Sequence, residues 1–134
     1  MAGLGQFVDE ILSNPSLSVV KDEIWAVYNK LAEVRLTKGG KKNYHFMIAA
    51  YFNDLSKVLT SLRKVTKSGV KMCWVVGDSA PNGVYVPVDI WLGRIAQNVG
   101  FDSYRFEKLR DRNVKWKNRK HTVPLHEGRL WING

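Results

Sequence analysis

Cysteine is almost absent from this sequence, since Cys73 is the single cysteine among 134 residues. One thiol cannot form an internal disulfide, and it cannot supply a cysteine-rich zinc site. Small secreted domains commonly depend on several disulfides, so this composition favours a reducing compartment. Cys73 lies inside an apolar stretch, where we expect the thiol to be a buried and inert packing group.

Long apolar runs are also missing. The run Met72 to Gly77 falls far short of the roughly 20 residues of a membrane-spanning helix, and no other run approaches that length. The opening residues MAGLGQFVDE contain neither the basic region nor the apolar core of a secretory signal. We therefore expect a cytoplasmic protein without a membrane partner. A length of 134 residues predicts one small domain covering residues 1–134.

Acidic residues are in the minority. The chain has 12 Asp and Glu against 21 Lys and Arg, which gives a net charge of +9. This balance favours a polyanionic partner, with nucleic acid first, although many basic proteins bind none. Apolar residues make up 45% of the chain and include five Trp, which argues for a packed globule and against disorder.

Residues 1–36 read as a helical amino-terminal segment. Leu4 to Leu12 predicts a short helix that stops before Pro15. A second helix is expected to begin after Ser18, because a serine hydroxyl is a good N-cap.

The next segment predicts a long helix that leads into a strand. Apolar residues recur at helical spacing from Asn43 to Lys67, and Gly69 is placed to end that helix. The continuous apolar run Met72 to Gly77 then predicts a strand covered on both faces, as in a parallel sheet. A loop follows at Asp78 to Gly83.

The remainder predicts one more helix and two strands. Pro87 to Val99 has helical spacing, and Gly100 is its expected stop. Ser103 to Leu109 and Arg129 to Ile132 read as a terminal antiparallel pair. The order helix, strand, helix, strand, strand predicts an α/β layer protein with half of a doubly wound sheet.

Tyr51 to Phe101 resembles the carboxy-terminal half of DNA methyltransferases that modify exocyclic amino groups of bases. The resemblance is carried by YFNDLSKVLTSLRKV, KSGVKMCWVVGDS and GVYVPVDIWLGRIAQNVGF. In that family a long helix leads through a lysine-glycine turn into the central strand. The closing HTVPLHEGRLWI is similar to the family's final strand, so the likeness covers roughly residues 44 to 132. It implies a partial Rossmann-like methyltransferase fold at 43–134, with helices packed on a small mixed sheet.

Two catalytic elements of that family are missing from this sequence. The first is a four-residue Asp/Asn/Ser-Pro-Pro-aromatic element that holds the target amine and stacks on the flipped base. The four prolines here are never adjacent. The second is the glycine-rich turn that cradles S-adenosylmethionine, since neither AGLGQ nor KGGK follows an apolar strand. The resemblance therefore implies no catalytic residue and no cofactor bound by this chain alone, with S-adenosylmethionine possible beside a complementary half.

The same resemblance implies an open strand edge. In the complete family fold, the strand that matches Met72 to Gly77 is flanked by the strand ending in the catalytic tetrapeptide. That neighbour has no counterpart here, so unpaired backbone groups are expected beside Val75 and Val76. A complementary methyltransferase half or a second copy of the chain would pair with this edge. Alternatively, the amino-terminal helices would cover it.

Three residues at the end of that strand are candidates to face a ligand, because open α/β sheets bind ligands at this end of their strands. They are Asp78, Ser79 and Asn82. The alternative is structural, with Asp78 and Asn82 capping a tight turn through Pro81 and Gly83.

A basic segment at 108–121 is the candidate nucleic-acid surface, expected to form a hairpin. It contains one acid among many cations, and a tryptophan that offers a stacking face beside phosphate-seeking charge. The predicted binding residues are Arg110, Arg112, Lys115, Trp116, Lys117, Arg119 and Lys120. The alternative is a solvated basic loop with Trp116 packed on the core.

A metal site has little support, because His45, His121 and His126 occur without a second cysteine, paired carboxylates or a His-x-x-x-His helix face. Three hypotheses remain open for the function. The chain is a fragment or subunit of an amino-group DNA methyltransferase that contributes DNA contacts, a stand-alone nucleic-acid-binding module, or a homodimeric interaction protein. The DNA upstream of the Met1 codon would discriminate best, since a neighbour that carries the missing element favours the first.

Overall fold

The computed structural model describes residues 3–38, 44–112 and 124–134. In this part the chain forms helices α1 (Gly3–Leu12), α2 (Lys21–Lys38), α3 (Tyr44–Val65) and α4 (Val88–Asn98), and strands β1 (Lys71–Gly77), β2 (Ser103–Arg112) and β3 (Leu125–Asn133). The predicted order of helix, strand, helix, strand, strand is therefore present from α3 onwards. The fold is mixed α/β.

The helix boundaries follow local signals with one difference. Asn14 accepts a hydrogen bond from the Ser16 N–H (3.0 Å) and opens a short 3-10 turn at Pro15–Leu17. Ser18 closes that turn, so α2 begins at Lys21 and not directly after Ser18. Gly69 and Gly100 have φ values of 84° and 116°, a region open mainly to glycine, and they follow α3 and α4 as predicted.

β3 is the central strand of the sheet, although it comes last in the chain. The order is β1-β3-β2, and both pairings are antiparallel. The predicted terminal antiparallel pair, β2 with β3, is confirmed. The expectation of a mixed sheet is wrong for the described strands, because β3 lies between β1 and β2 and separates the two strands that run in the same direction.

The described helices cover one face of this sheet and leave the other face open. Met72, Trp74 and Ile132 point to that face and pack against the core. Val75 on the other face is 79% exposed, and Cys73 is exposed too. The expectations that β1 is buried on both faces and that Cys73 is a buried packing group are both wrong, because alternate residues of a strand point in opposite directions.

The core lies between the sheet and the helices. Trp91, Leu92 and Ile95 of α4 are buried against it, and so is Phe52 of α3. α1 and α2 pack on α3, farther from the sheet. The side chain of Arg94 on α4 joins this outer layer by donating a hydrogen bond to Glu23 (3.0 Å), which lowers the pKa of that carboxyl. None of the described helices combines the length and apolar character needed to cross a bilayer.

One side of α3 remains uncovered in the described structure. Met47, Tyr51, Val58 and Val65 are exposed and recur at helical spacing, so they form a single stripe along the helix. These four residues are called the α3 stripe below. The helix has a wider apolar surface than its neighbours cover.

Candidate functional site

Asp78 follows β1 directly and is only 1% exposed. Its Oδ1 accepts a hydrogen bond from the His126 backbone N–H (2.8 Å), and its Oδ2 accepts one from the Tyr85 hydroxyl (2.5 Å). The His126 Nδ1 lies 3.1 Å from the same Oδ2. Since a buried carboxylate is costly without such partners, these contacts explain how Asp78 is tolerated in the interior.

The His126 ring lies between two carboxylates. On the side away from Asp78, its Nε2 is 3.6 Å from Oδ2 of Asp89, which is in the first turn of α4, where the helix dipole favours negative charge. The ring also contacts Phe106, with centroids 5.0 Å apart. Within the described residues, His126 Nε2 and Asp89 Oδ1 are buried without a hydrogen-bond partner.

Arg112 attaches the end of β2 to Asp78. Its guanidinium donates a hydrogen bond to the backbone carbonyl of Asp78 (2.7 Å). We call Asp78, Tyr85, Asp89, Arg112 and His126 the Asp78 clasp. Arg112 is the last residue of β2 and His126 the second of β3, so the clasp attaches the end of β2 and the start of β3 to the end of β1.

The electrostatics of the clasp keep Tyr85 protonated. Burial raises the pKa of its phenol well above the ordinary value, and the hydrogen bond that it donates to Asp78 raises it further. The negative charges of Asp78 and Asp89 act in the same direction. Tyr85 is therefore a hydrogen-bond donor at neutral pH, and not a base.

An apolar cleft of about 290 Å³ lies beside the clasp, between α3 and the loop after β1. Met47, Tyr51 and Phe52 line its helix side, and Ser79 and Val86 line its loop side. Burial raises the pKa of the Tyr51 phenol. The cleft is large enough for one apolar side chain or one planar ring.

The three predicted ligand-facing residues take different positions. The Asp78 carboxylate is used inside the clasp. Ser79 lines the apolar cleft and exchanges backbone hydrogen bonds with Val86 (3.2 and 2.7 Å), which closes the loop. Asn82 is the middle residue of the 3-10 turn Pro81–Gly83, whose cap residue makes no side-chain hydrogen bond. Within residues 77–88, this loop contains no glycine-rich turn.

The described part of the predicted nucleic-acid surface is engaged in contacts within the chain. Arg110 forms an ion pair with Glu127, and Lys108 forms one with Asp111 (3.0 Å). Arg112 belongs to the clasp. The other predicted residues lie outside the described residues, and they are Lys115, Trp116, Lys117, Arg119 and Lys120.

The described histidines considered as metal ligands have other neighbours. His45 is buried, with its ring 5.1 Å from that of Tyr28, and His126 is part of the clasp. His121 lies outside the described residues. Over the ranges that the structure describes, no three His, Cys, Asp or Glu side chains converge on a possible metal position.

Sequence reasoning did not bring Tyr85, Asp89 and His126 together. His126 is 48 residues from Asp78, and only the placement of β3 beside β1 makes them neighbours. The only local sign of this grouping was the acid Asp89, two residues after Pro87 at the expected start of a helix. An acid in the first turn is typical of helices in general, so it does not indicate a contact with His126.

No family model, curated protein or solved structure matches this chain significantly. The methyltransferase resemblance therefore rests on the sequence motifs alone.

Proposed function

We propose that this chain is the carboxy-terminal half, as a fragment or subunit, of a DNA methyltransferase that modifies an exocyclic amino group. It supplies DNA contacts and part of the fold. The catalytic tetrapeptide and the S-adenosylmethionine turn come from a complementary half, and the chain transfers no methyl group without it.

The match between the motifs and the observed elements supports this proposal. YFNDLSKVLTSLRKV occupies residues 51–65 of α3, and KSGVKMCWVVGDS leads through the Gly69 turn into β1. The valine-proline motif opens α4, and Leu125 to Ile132 of the segment similar to the family's final strand lie in β3. Each motif is thus in the kind of element that the family resemblance implies for it.

The uncovered side of β1 is the observation that carries the proposal. β1 is an edge strand among the described strands, with Val75 79% exposed beside it. The α3 stripe adds Val65, which is 78% exposed, and Met47 lies at the other end of the stripe. A bare strand edge next to a row of exposed apolar side chains is typical of a surface that another polypeptide covers. In the proposed enzyme this cover is the complementary half.

The Asp78 clasp supports a role in DNA contact. It attaches Arg112 and His126, which lie on either side of Lys115 to Lys120 in the sequence, to the carboxyl end of β1, where α/β sheets bind their ligands. Lys115, Lys117, Arg119 and Lys120 would then follow the phosphate backbone near the base to be modified, with Trp116 as a stacking face.

A second candidate function is a stand-alone nucleic-acid-binding module. The net charge of +9 favours it, together with the concentration of cations between Lys108 and His121. This candidate requires no complementary half. It predicts that the affinity for DNA is the same in the presence and in the absence of a complementary half.

The test begins with the DNA upstream of the Met1 codon. A polypeptide encoded there that carries the proline-proline-aromatic element and the glycine turn would be produced together with this chain. Transfer of a labelled methyl group to DNA is expected only from the pair. The matched control is the same pair with the aromatic residue of the tetrapeptide changed to Ala, which should transfer none. A pair that assembles and binds cofactor but leaves DNA unmethylated would reject the proposal.

A further inference from the structure

The side chains of the uncovered sheet face stand in rows across the three strands, because residues opposite each other in an antiparallel pair point to the same side. Trp131 of β3 lies in the middle row, between Cys73 of β1 and Arg105 of β2. Cys73 and Arg105 are exposed, and Trp131 is partly exposed. The outward side chains of Lys71 and Val75 lie on either side of Cys73 along β1. We call this surface, centred on Trp131, the open sheet face.

Trp131 is the aromatic centre of the open sheet face. The guanidinium carbon of Arg105 lies 5.9 Å from the centre of its ring. The indole Nε1 donates a hydrogen bond to the Glu107 carboxylate (3.4 Å), so the ring is held from β2. An accessible indole beside a planar guanidinium is the kind of surface on which unpaired bases stack.

The carboxylates of the open sheet face are already matched by arginines. Glu107 forms an ion pair with Arg129 (3.4 Å), and Glu127 forms one with Arg110. The charges within each pair cancel. Any excess charge of this face therefore comes from its other residues.

Further cations make the open sheet face positive. Lys71, Arg105 and Arg112 form no ion pair within the described residues. The Arg112 guanidinium belongs to this face, since its Nη1 lies 2.6 Å from the position that a Cβ at Gly77 would take. Lys71 and Gly77 are the two ends of β1, roughly 20 Å apart at about 3.3 Å per residue. Positive charge thus lies on both sides of Trp131 along the strand direction.

Charge complementarity favours a polyanion as the occupant of this face. A polypeptide cover would remove these cations from water, which is costly unless the cover brings matching carboxylates. A second copy of the chain brings the same cations and is repelled. A nucleic-acid strand supplies phosphates for the cations and a base for the indole ring.

Two features narrow this occupant to single-stranded DNA. Base faces are accessible in an unpaired strand, whereas a duplex keeps them inside its own stack. RNA recognition adds contacts to the 2′-hydroxyl. On the open sheet face, the Asn133 amide donates a hydrogen bond to the Ser103 hydroxyl (3.4 Å), so these uncharged polar groups are engaged with each other and do not select ribose.

We propose that the open sheet face binds single-stranded DNA, with one base stacked on Trp131. The phosphates of the strand contact Lys71, Arg105 and Arg112. Arg112 donates one N–H to the Asp78 carbonyl and retains other donors for a phosphate. This binding requires neither a complementary half nor a catalytic element, so it goes beyond the proposed function, and its failure would leave that function intact.

Cys73 reports on this face directly, because it is the single thiol of the chain and lies opposite Trp131. A saturating oligothymidylate of about 12 nucleotides should slow its alkylation by N-ethylmaleimide, an uncharged reagent, at least about fivefold. The matched control, Cys73→Ser/Lys30→Cys, moves the thiol to α2 in the outer helical layer, where the rate should change less than about twofold. A bound oligonucleotide that leaves Cys73 equally reactive would overturn the proposal. So would a polypeptide partner that protects Cys73 where the oligonucleotide does not.

Fluorescence anisotropy of the same oligonucleotide, carrying a fluorescein label, measures the contribution of Trp131. Trp131→Ala should weaken binding about tenfold, within the range expected for the loss of one stacked base. Trp131→Phe keeps an aromatic ring, so its affinity should stay within about threefold of the wild type. Circular dichroism checks that both variants are folded. Equal affinities of the wild type and a folded Trp131→Ala variant would contradict stacking on this residue and overturn the proposal.

The salt dependence tests the phosphate contacts and does not depend on how Trp131→Ala folds. Lys71→Gln/Arg105→Gln should make the salt slope shallower by about 1.4, since each phosphate contact of a single strand contributes about 0.7. The control Lys30→Gln/Lys57→Gln removes the same charge from two helices and should leave the slope unchanged. Equal slopes in the two double variants would reject the site. A preference of the wild type for an RNA strand of the same length above about tenfold would reject DNA as its ligand.

Discussion

The Tyr85 hydroxyl donates a hydrogen bond of 2.5 Å to the Asp78 carboxylate, from a loop to the end of β1. Asp78 in turn accepts the backbone N–H of His126 at the start of β3. A single buried carboxylate thus connects the loop, the edge strand and the central strand. The clasp is a structural device that holds Arg112 of β2 and His126 of β3 at the end of β1.

Changing Tyr85 to Phe should lower the free energy of unfolding at pH 7 by about 1.5 kcal/mol, because a hydrogen bond to a charged acceptor is lost. Urea unfolding followed by tryptophan fluorescence measures this. The matched control is Tyr51→Phe, since no hydrogen bond of that hydroxyl is found among the described residues and the change should be small. An equal loss of unfolding free energy in the two variants would argue against a stabilising hydrogen bond from Tyr85 to Asp78.

Alkaline pH should destabilise the wild type through the same phenol. The pKa of Tyr85 is higher in the folded than in the unfolded state, so above about pH 10 the unfolded chain releases a proton that the folded chain retains. The stabilisation is complete below that pH and decreases above it. Urea unfolding between pH 8 and about pH 11 should show a steeper loss for the wild type than for Tyr85→Phe. Parallel curves would contradict the raised pKa.

Asp78→Ala should be more damaging than the tyrosine change, with a loss of about 3 kcal/mol. It removes the acceptor of both Tyr85 and the His126 N–H and leaves buried donors unsatisfied. Asp102→Ala is the control, because that residue is exposed and, among the described residues, its hydrogen bonds are made by its backbone groups and not by its carboxylate. Thermal unfolding compares them. A neutral Asp78→Ala would show that the clasp is dispensable.

DNA binding should depend on salt through the basic segment. If four cations contact phosphates, the logarithm of affinity falls with the logarithm of salt concentration at a slope near −3.6. Replacing Lys115, Lys117, Arg119 and Lys120 by Ala should flatten that slope. The control replaces four exposed lysines elsewhere with the same loss of charge: Lys30, Lys57, Lys64 and Lys67. Identical slopes in both quadruple variants would show that net charge alone, and not this segment, drives binding.

The isolated chain should bind S-adenosylmethionine only weakly, with a dissociation constant above about 1 mM, and should transfer no methyl group. The reason is that it has neither the glycine turn nor the catalytic tetrapeptide. Titration calorimetry measures the binding. Micromolar affinity would contradict this expectation and point to a pocket near Asp78.

Local signals predicted most element positions. The helical spacing from Asn43 to Lys67 and the stop at Gly69 correspond to α3 and the turn that ends it. Likewise, Pro87 and Gly100 bracket α4. These signals act between neighbours in the chain, so they do not depend on the rest of the fold. Strand ends were less accurate, since β3 begins at Leu125 and not at Arg129.

The candidate site was predicted less completely. Asp78 and Ser79 were singled out because they follow an apolar strand, and both do lie at its carboxyl end. Their partners could not be identified, because nothing local indicates that His126 returns to Asp78. The apolar run of β1 also suggested burial on both faces. An apolar run indicates that a strand is hydrophobic. It does not indicate whether other parts of the same chain cover both faces of that strand.

The sequence by itself determined the helices, the strands and the charge, because spacing, caps and composition are properties of short stretches of chain. Only the tertiary structure decided that β3 lies between β1 and β2. That placement depends on pairing across more than fifty residues, between Lys71 and Asn133 for example. It brings His126 to Asp78, and it leaves the outward groups of Cys73 and Val75 without a described partner. The physical reason is that hydrogen bonding between strands satisfies backbone groups regardless of side chain, so its pattern is set by which strands meet in space.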